Sequence, residues 1–208
     1  MRALSIPVVL GALVAFIGCS SGDSAIKKTE IADDGLPAWV SDPCAGISDA
    51  SALCAVAESA FAAADVEAAK TDAETVCKNR LADQVTAKVG RLTERLNSAM
   101  KDLSNGRTVG EHTIKDINQS YQQTTLHGLR YGDYFFWPSR TEPKKVWVRA
   151  YVTVDSNKMS QDIVNAMMAG AQAERLELKH EEAQMRFDAV RQKYLEEEKA
   201  QQGSAPAR

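Results

Sequence analysis

The side chains of this chain best suited to covalent or metal chemistry are its 4 cysteines and 3 histidines. They stand at Cys19, Cys44, Cys54 and Cys77, and at His112, His127 and His180. Structural zinc sites draw on closely spaced Cys or His pairs, a spacing these residues lack. His180-Glu181-Glu182 is not followed by the second histidine that a zincin helix needs. The chain has no Gly-x-Ser-x-Gly elbow, no phosphate-cradling glycine loop and no dinucleotide fingerprint. Its carboxylates lie among Lys and Arg at helical spacings, as on a solvated face. These observations describe a non-enzyme with no catalytic residue, metal or bound cofactor. A net charge of −3 gives nucleic acid no basic face to bind.

Cys19 has a distinctive context. Arg2 is the only charged residue before Asp23, and Ala3 to Ile17 is apolar or small apart from Ser5. A basic start followed by an apolar run is a secretion signal. Fifteen helical residues would reach only about 22 Å, short of a bilayer core of roughly 30 Å, and Pro7 interrupts them. Phe16-Ile17-Gly18-Cys19 resembles the bacterial lipoprotein box, although Phe16 replaces the usual Leu and Ile17 is bulky. The resemblance implies cleavage after Gly18 and a diacylglyceryl group and N-acyl chain on Cys19. Ser20 at the sorting position implies export to the outer membrane rather than inner-membrane retention. Two or more acyl chains hold a protein stably at about 0.8 kcal/mol per buried CH₂.

Export implies an oxidising compartment, where the remaining cysteines pair. Cys44 and Cys54 are the preferred pair, because they close a short loop around the Gly46 turn. Three thiols allow three single pairings, and a Cys54–Cys77 bond would overturn the preferred one. Cys77 is either a buried small apolar residue, or a reactive thiol or partner in an intermolecular disulfide.

Several elements must position these residues. Ser20 to Leu36 is polar, of mixed charge and aperiodic, so it reads as a tether with a span of roughly 20–25 Å. Its Ile26–Ile31 tract is alternatively an edge strand. The folded part begins at Leu36-Pro37-Ala38-Trp39-Val40, and Leu53 to Ala57 reads as a first core strand. From Ala62 to Leu103 apolar residues recur at steps of three and four, the pattern of one long helix that stops at Asn105-Gly106. A second helix spans about Gly110 to Gln123. Thr124 to Trp137 is rich in β-formers, and Val146 to Val154 alternates strictly. The two segments form an antiparallel hairpin across a short turn. Ser160 to Gln202 reads as one last helix, charged beyond Glu174, with Leu178, Met185, Val190 and Tyr194 as a sparse stripe and an end that leaves the domain. The expected fold is α+β: an antiparallel sheet of about three strands packed around one long helix, plus a long C-terminal helix. The expected divisions are a signal peptide over 1–18, lipidated Cys and tether over 19–35, and the α+β domain over 36–155. A charged helix over 156–202 and a disordered tail over 203–208 complete the chain.

Pro37-Ala38-Trp39-Val40 and the strand Val146-Trp147-Val148-Arg149-Ala150-Tyr151-Val152, following a lipoprotein box, resemble the twenty-kilodalton lipoprotein family typified in Helicobacter. They are also similar in plan to the amino-terminal domain of flagellar assembly protein T. The resemblance covers about residues 36–155. It implies a sheet wrapped on a long helix, in membrane-anchored cell-envelope proteins not known as enzymes. It transfers no functional residue.

Trp147, Arg149 and Tyr151 share one face of the alternating strand. With the valines turned to the core, this face meets a partner protein, or else it is covered by the last helix. The expected function is that of a non-enzymatic outer-membrane lipoprotein acting through protein contacts, with self-association as one form. A periplasmic small-ligand module and a motility accessory protein are the alternatives. Whether the domain faces periplasm or cell surface stays open.

Overall fold

The computed structural model describes residues 35–61, 65–137, 144–176 and 178–203. The signal segment, Cys19, most of the tether, the 138–143 turn and the final five residues lie outside the described residues.

The fold is α+β, with a three-stranded antiparallel sheet packed against helices. A one-turn helix α1 (Ala38–Ser41) is followed by strand β1 (Ala52–Phe61) and the long helix α2 (Val66–Leu103). Helix α3 (Glu111–Leu126), strands β2 (Arg130–Trp137) and β3 (Lys144–Thr153), and helices α4 (Ser156–Ala173) and α5 (His180–Gly203) complete it. The strand order is β1-β3-β2. The most strongly alternating strand, β3, is therefore central.

Period-two alternation divides the sheet cleanly. Val146, Val148, Ala150 and Val152 are buried on the inner face, with Ala55 and Ala57 of β1 beside them. Against them lies α2, whose inward stripe includes Ala69, Ala73, Cys77, Leu81 and Val85. Small residues on both surfaces, Ala55, Ala57 and Ala150 facing Ala73 and Cys77, let helix and sheet approach closely. The 38 residues of α2 reach about 57 Å, well beyond a ten-residue strand. Its second half is covered instead by α3, α4 and α5, through Leu92, Leu96 and Met100. The helix ends as its Asn-Gly signal implies. Asn105 and Gly106 take positive φ of 55° and 87°, and Gly106 N donates to Lys101 O at 2.9 Å.

Three expectations are revised. The tract from Thr124 is not extended at its start, because α3 continues to Leu126 before β2 opens at Arg130. The run from Ser160 to Gln202 is two helices, α4 and α5. Arg175 adopts φ 53° and Leu176 N donates to Ala171 O at 2.9 Å, a left-handed helix stop made without glycine. The end of α5 does not leave the domain: Ala183, Phe187, Tyr194 and Leu195 are buried in the core. Of the expected stripe, Tyr194 is buried and Leu178 and Val190 pack against the core, whereas Met185 is 68% exposed.

The α5 contact is also ionic. Lys88 of α2 pairs with Glu198, with both side chains nearly buried, and Arg95 reaches Glu197 at 2.7 Å. The α3 N-terminus starts at Gly110, which has no side chain to cap it. Glu174 at the end of α4 takes that role, accepting from Gly110 N at 3.0 Å and from Thr113 Oγ1 at 2.9 Å.

Candidate functional site

The outer face of the sheet gathers most of the residues that the sequence singles out. Cys54, Val56 and Glu58 of β1 lie opposite Tyr151, Arg149 and Trp147 of β3. On β2, Phe135 pairs with Trp147 and Trp137 with Lys145 on the same face. Trp147, Tyr151, Phe135 and Trp137 are all half-buried.

The last helix is not what covers this face. The tract from Gly35 to Ser51 crosses it as a strap, fixed at four points. Gly35 lies against the Trp137 ring, where an added Cβ would be in ordinary contact at 3.5 Å. Trp39, in α1, is buried to 4% exposure. Cys44 is bonded to Cys54, with Cα atoms 5.5 Å apart. Asp49 accepts from Ser51 N at 2.9 Å and from Thr153 Oγ1 at 3.0 Å. The Ser51 hydroxyl, then its backbone N–H, then Thr153 hold the Asp49 carboxyl below its usual pKa.

Arg149 is the hub. Its Nη1 donates to Ala45 O at 2.6 Å, and its guanidinium lies 5.6 Å from the Trp39 ring centroid. It also forms an ion pair with Asp133. A register shift between Tyr131 and Tyr134 provides that partner, since a bulge re-aims the side chains within it. Gly132 belongs to this bulge, where an added Cβ would lie 3.5 Å from Tyr151 and 3.6 Å from Arg149 Nε. Only 12% of the Arg149 side chain stays exposed, and its Nε is buried with no partner among the described residues.

Cys77 sits on the other side of the sheet. Its Sγ–H donates to Val148 O at 3.2 Å, and desolvation pushes its pKa up to about 11. It is therefore a protonated, inaccessible thiol at neutral pH. His112 lies 2.8 Å from Asp116 on the exposed side of α3, His127 ends α3 and His180 begins α5. Two clefts of about 370 and 460 Å³ lie elsewhere. One is at the start of α4 beside Leu195 and Lys199, and the other lies between α2 and α3 along Lys115 and Gln122. Both are open surface clefts lined mostly by polar residue types, and the layer between sheet and α2 is filled by buried side chains.

Sequence reading put Trp147, Arg149 and Tyr151 on one face, and the structure places them there. It missed Asp133 and Asp49. A signal for Asp49 exists in Asp49-Ala50-Ser51, a turn-forming acidic residue two before a serine. The arrangement supplies aromatic contact area, one fixed guanidinium and a covalently closed strap.

No family model, curated protein or solved structure matches the chain.

Proposed function

We propose that the protein is a non-enzymatic lipoprotein of the bacterial outer membrane, acting in the cell envelope through protein contacts. The observation that carries this reading is Phe16-Ile17-Gly18-Cys19 at the end of an apolar run opened by Arg2. Cleavage after Gly18 leaves Cys19 to carry the diacylglyceryl and N-acyl chains. The resemblance to the twenty-kilodalton lipoprotein family supports the same reading.

Two structural facts are consistent with export. Cys44 and Cys54 are oxidised, as expected outside the reducing cytosol. Among the described residues no helix is long and apolar enough to cross a membrane, so a lipid would serve as the anchor. From Cys19 the chain has 15 residues before the strap begins at Gly35, a span of about 20 Å. Binding then falls to the outer face of the sheet, where Trp147, Phe135 and Trp137 remain half-exposed beside the strap. Aromatic side chains of this kind dominate contact energies at protein interfaces.

The test is metabolic labelling with an alkyne analogue of palmitate. Wild-type protein is expected to incorporate label and fractionate with the outer membrane. Cys19→Ser is expected to lose both and to accumulate as precursor. A labelled Cys19→Ser protein, or unlabelled wild type at mature mass, overturns the reading.

A further inference from the structure

Each outer strand of the sheet has one free edge, and the two edges differ. On β1, α2 closes the edge: Gln84 Nε2 donates to Cys54 O at 3.1 Å, and Arg80 Nη1 donates to Val56 O. These two carbonyls set the polarity of the whole sheet, because backbone direction alternates with side-chain face. Cys54 and Val56 point away from β3, so Ala55 and Ala57 bond to Ala150 and Val148. Tyr151, Trp147 and Lys145 then bond toward β2. On β2, Arg130, Phe135 and Trp137 stand opposite them in turn, while Tyr131, Tyr134 and Phe136 turn their N–H and C=O groups outward.

No described residue pairs with that outward row. The side chains along it are also unusual. The described residues include four exposed large apolar side chains, and two of them, Tyr131 at 37% and Phe136 at 46%, lie on this edge. An open row of backbone donors and acceptors is a template for another β-strand.

We propose that β2 is a self-association edge, on which a second copy of this chain pairs antiparallel through its own β2. The two three-stranded sheets then form one continuous six-stranded sheet. The edge is self-complementary about Phe135. A two-fold axis there sets Phe135 against the partner's Phe135, and Tyr134 against the partner's Phe136. Residues that turn outward thereby meet residues that turn outward, as a hydrogen-bonded pair requires. Aromatic cross-strand pairs are favourable in this geometry. The helix flank above the edge does not oppose pairing. Lys70 lies 4.5 Å over the Tyr134 ring and Glu74 accepts from the Tyr134 hydroxyl at 2.8 Å, so the two-fold brings no uniform charge against itself. The register shift between Tyr131 and Tyr134 limits pairing to the Tyr134–Trp137 half, which makes the dimer reversible.

This proposal does not depend on the lipid anchor. The test uses full-length chains in intact cells, with p-benzoylphenylalanine at position 136 and two co-expressed copies bearing different epitope tags. Irradiation is expected to yield a product of twice the chain mass that carries both tags. Phe135→Glu in both copies, and Phe135→Lys in both copies, are each expected to lose this product. One Phe135→Glu copy with one Phe135→Lys copy is expected to restore it, because position 135 faces itself only in this register. That rescue also shows that both variants fold. A product joining the chain to a different protein, an internal crosslink to residues 20–34, or no two-tag product overturns the proposal. So does failure of the mixed pair to restore it.

Discussion

Cys54 and Cys77 lie on opposite faces of one three-stranded sheet. Cys54 faces outward, bonded to Cys44, and Cys77 donates to Val148 O on the inner face. Strand alternation excludes a bond between them without rotating β1 by one residue. The disulfide therefore closes a loop of sequence separation 10 and fixes the strap.

Removing that bond has a definite cost. Cys44→Ser with Cys54→Ser is expected to destabilise the domain by about 2.5–3 kcal/mol through lost loop closure. Denaturant unfolding with and without a dithiol reductant measures it. Reduction should lower the wild-type midpoint and leave the double variant unchanged.

The Cys77 thiol links stability to alkaline pH. Its pKa is raised from about 9.0 unfolded to about 11 folded, so the native state holds its proton more tightly. The corresponding stability is fully present below pH 9 and is lost as pH rises toward 11, up to roughly 2–3 kcal/mol. Cys77→Ser does not titrate in this window. The difference between wild-type and variant stability should therefore narrow in favour of the variant from pH 8 to pH 11. A constant difference would contradict the buried thiol.

Arg149 ties strap to sheet, and its geometry is specific. Arg149→Ala is expected to lose about 1.5–3 kcal/mol, with faster proteolysis between Pro37 and Ala50. Arg149→Lys keeps the charge without the planar fork that serves Ala45 and Asp133 together. It should recover only part of the protection, as limited proteolysis followed by mass spectrometry will show.

Helix α5 is structural in this fold. Glu198→Ala leaves Lys88 buried without its partner and is expected to cost about 3–5 kcal/mol. Phe187→Ala empties a fully buried ring site, at a cost of about 3–5 kcal/mol. Truncation after Lys179 should unfold or loosen the core, which circular dichroism melting detects. An unchanged melt would return α5 to the role of a detachable docking element.

Gly170 lies at a close crossing of α4 with α3. An added Cβ would lie 2.7 Å from Thr113 Cγ2 and 3.3 Å from Val109 Cγ1. Gly170→Ala is expected to cost about 1–3 kcal/mol by overpacking. Thr113→Ser removes the obstructing methyl and keeps the hydroxyl that donates to Glu174. The double variant should recover most of the loss in thermal unfolding.

The regular elements were readable because their signals are local. Val146 to Val152 alternates within a single strand, and the α2 stripe repeats within a single helix. The Asn105-Gly106 stop carries its own conformational preference. Where the signal was not local, sequence reading failed. Nothing in Arg175 announces a left-handed helix stop, so α4 and α5 merged into one helix. The charged composition of α5 hid the buried Ala183 and Phe187, although Tyr194 of the same helix was legible.

The sequence by itself determined the α+β class, a strongly alternating strand, one helix far longer than the strands, and a short Cys44–Cys54 loop as the preferred disulfide. All of these follow from periodicity or short separation along the chain. Tertiary structure decided that β3 is central, that Cys77 stays apart, that a strap closes over Arg149, that α5 docks, and that among the described residues α2 covers one sheet edge and nothing covers the other. Those outcomes depend on strand register and helix placement, which bring Arg80 to Val56 O and Lys88 to Glu198 across 24 and 110 residues of chain. No local pattern encodes such a meeting, because its free energy arises only once both partners are already held by the rest of the core.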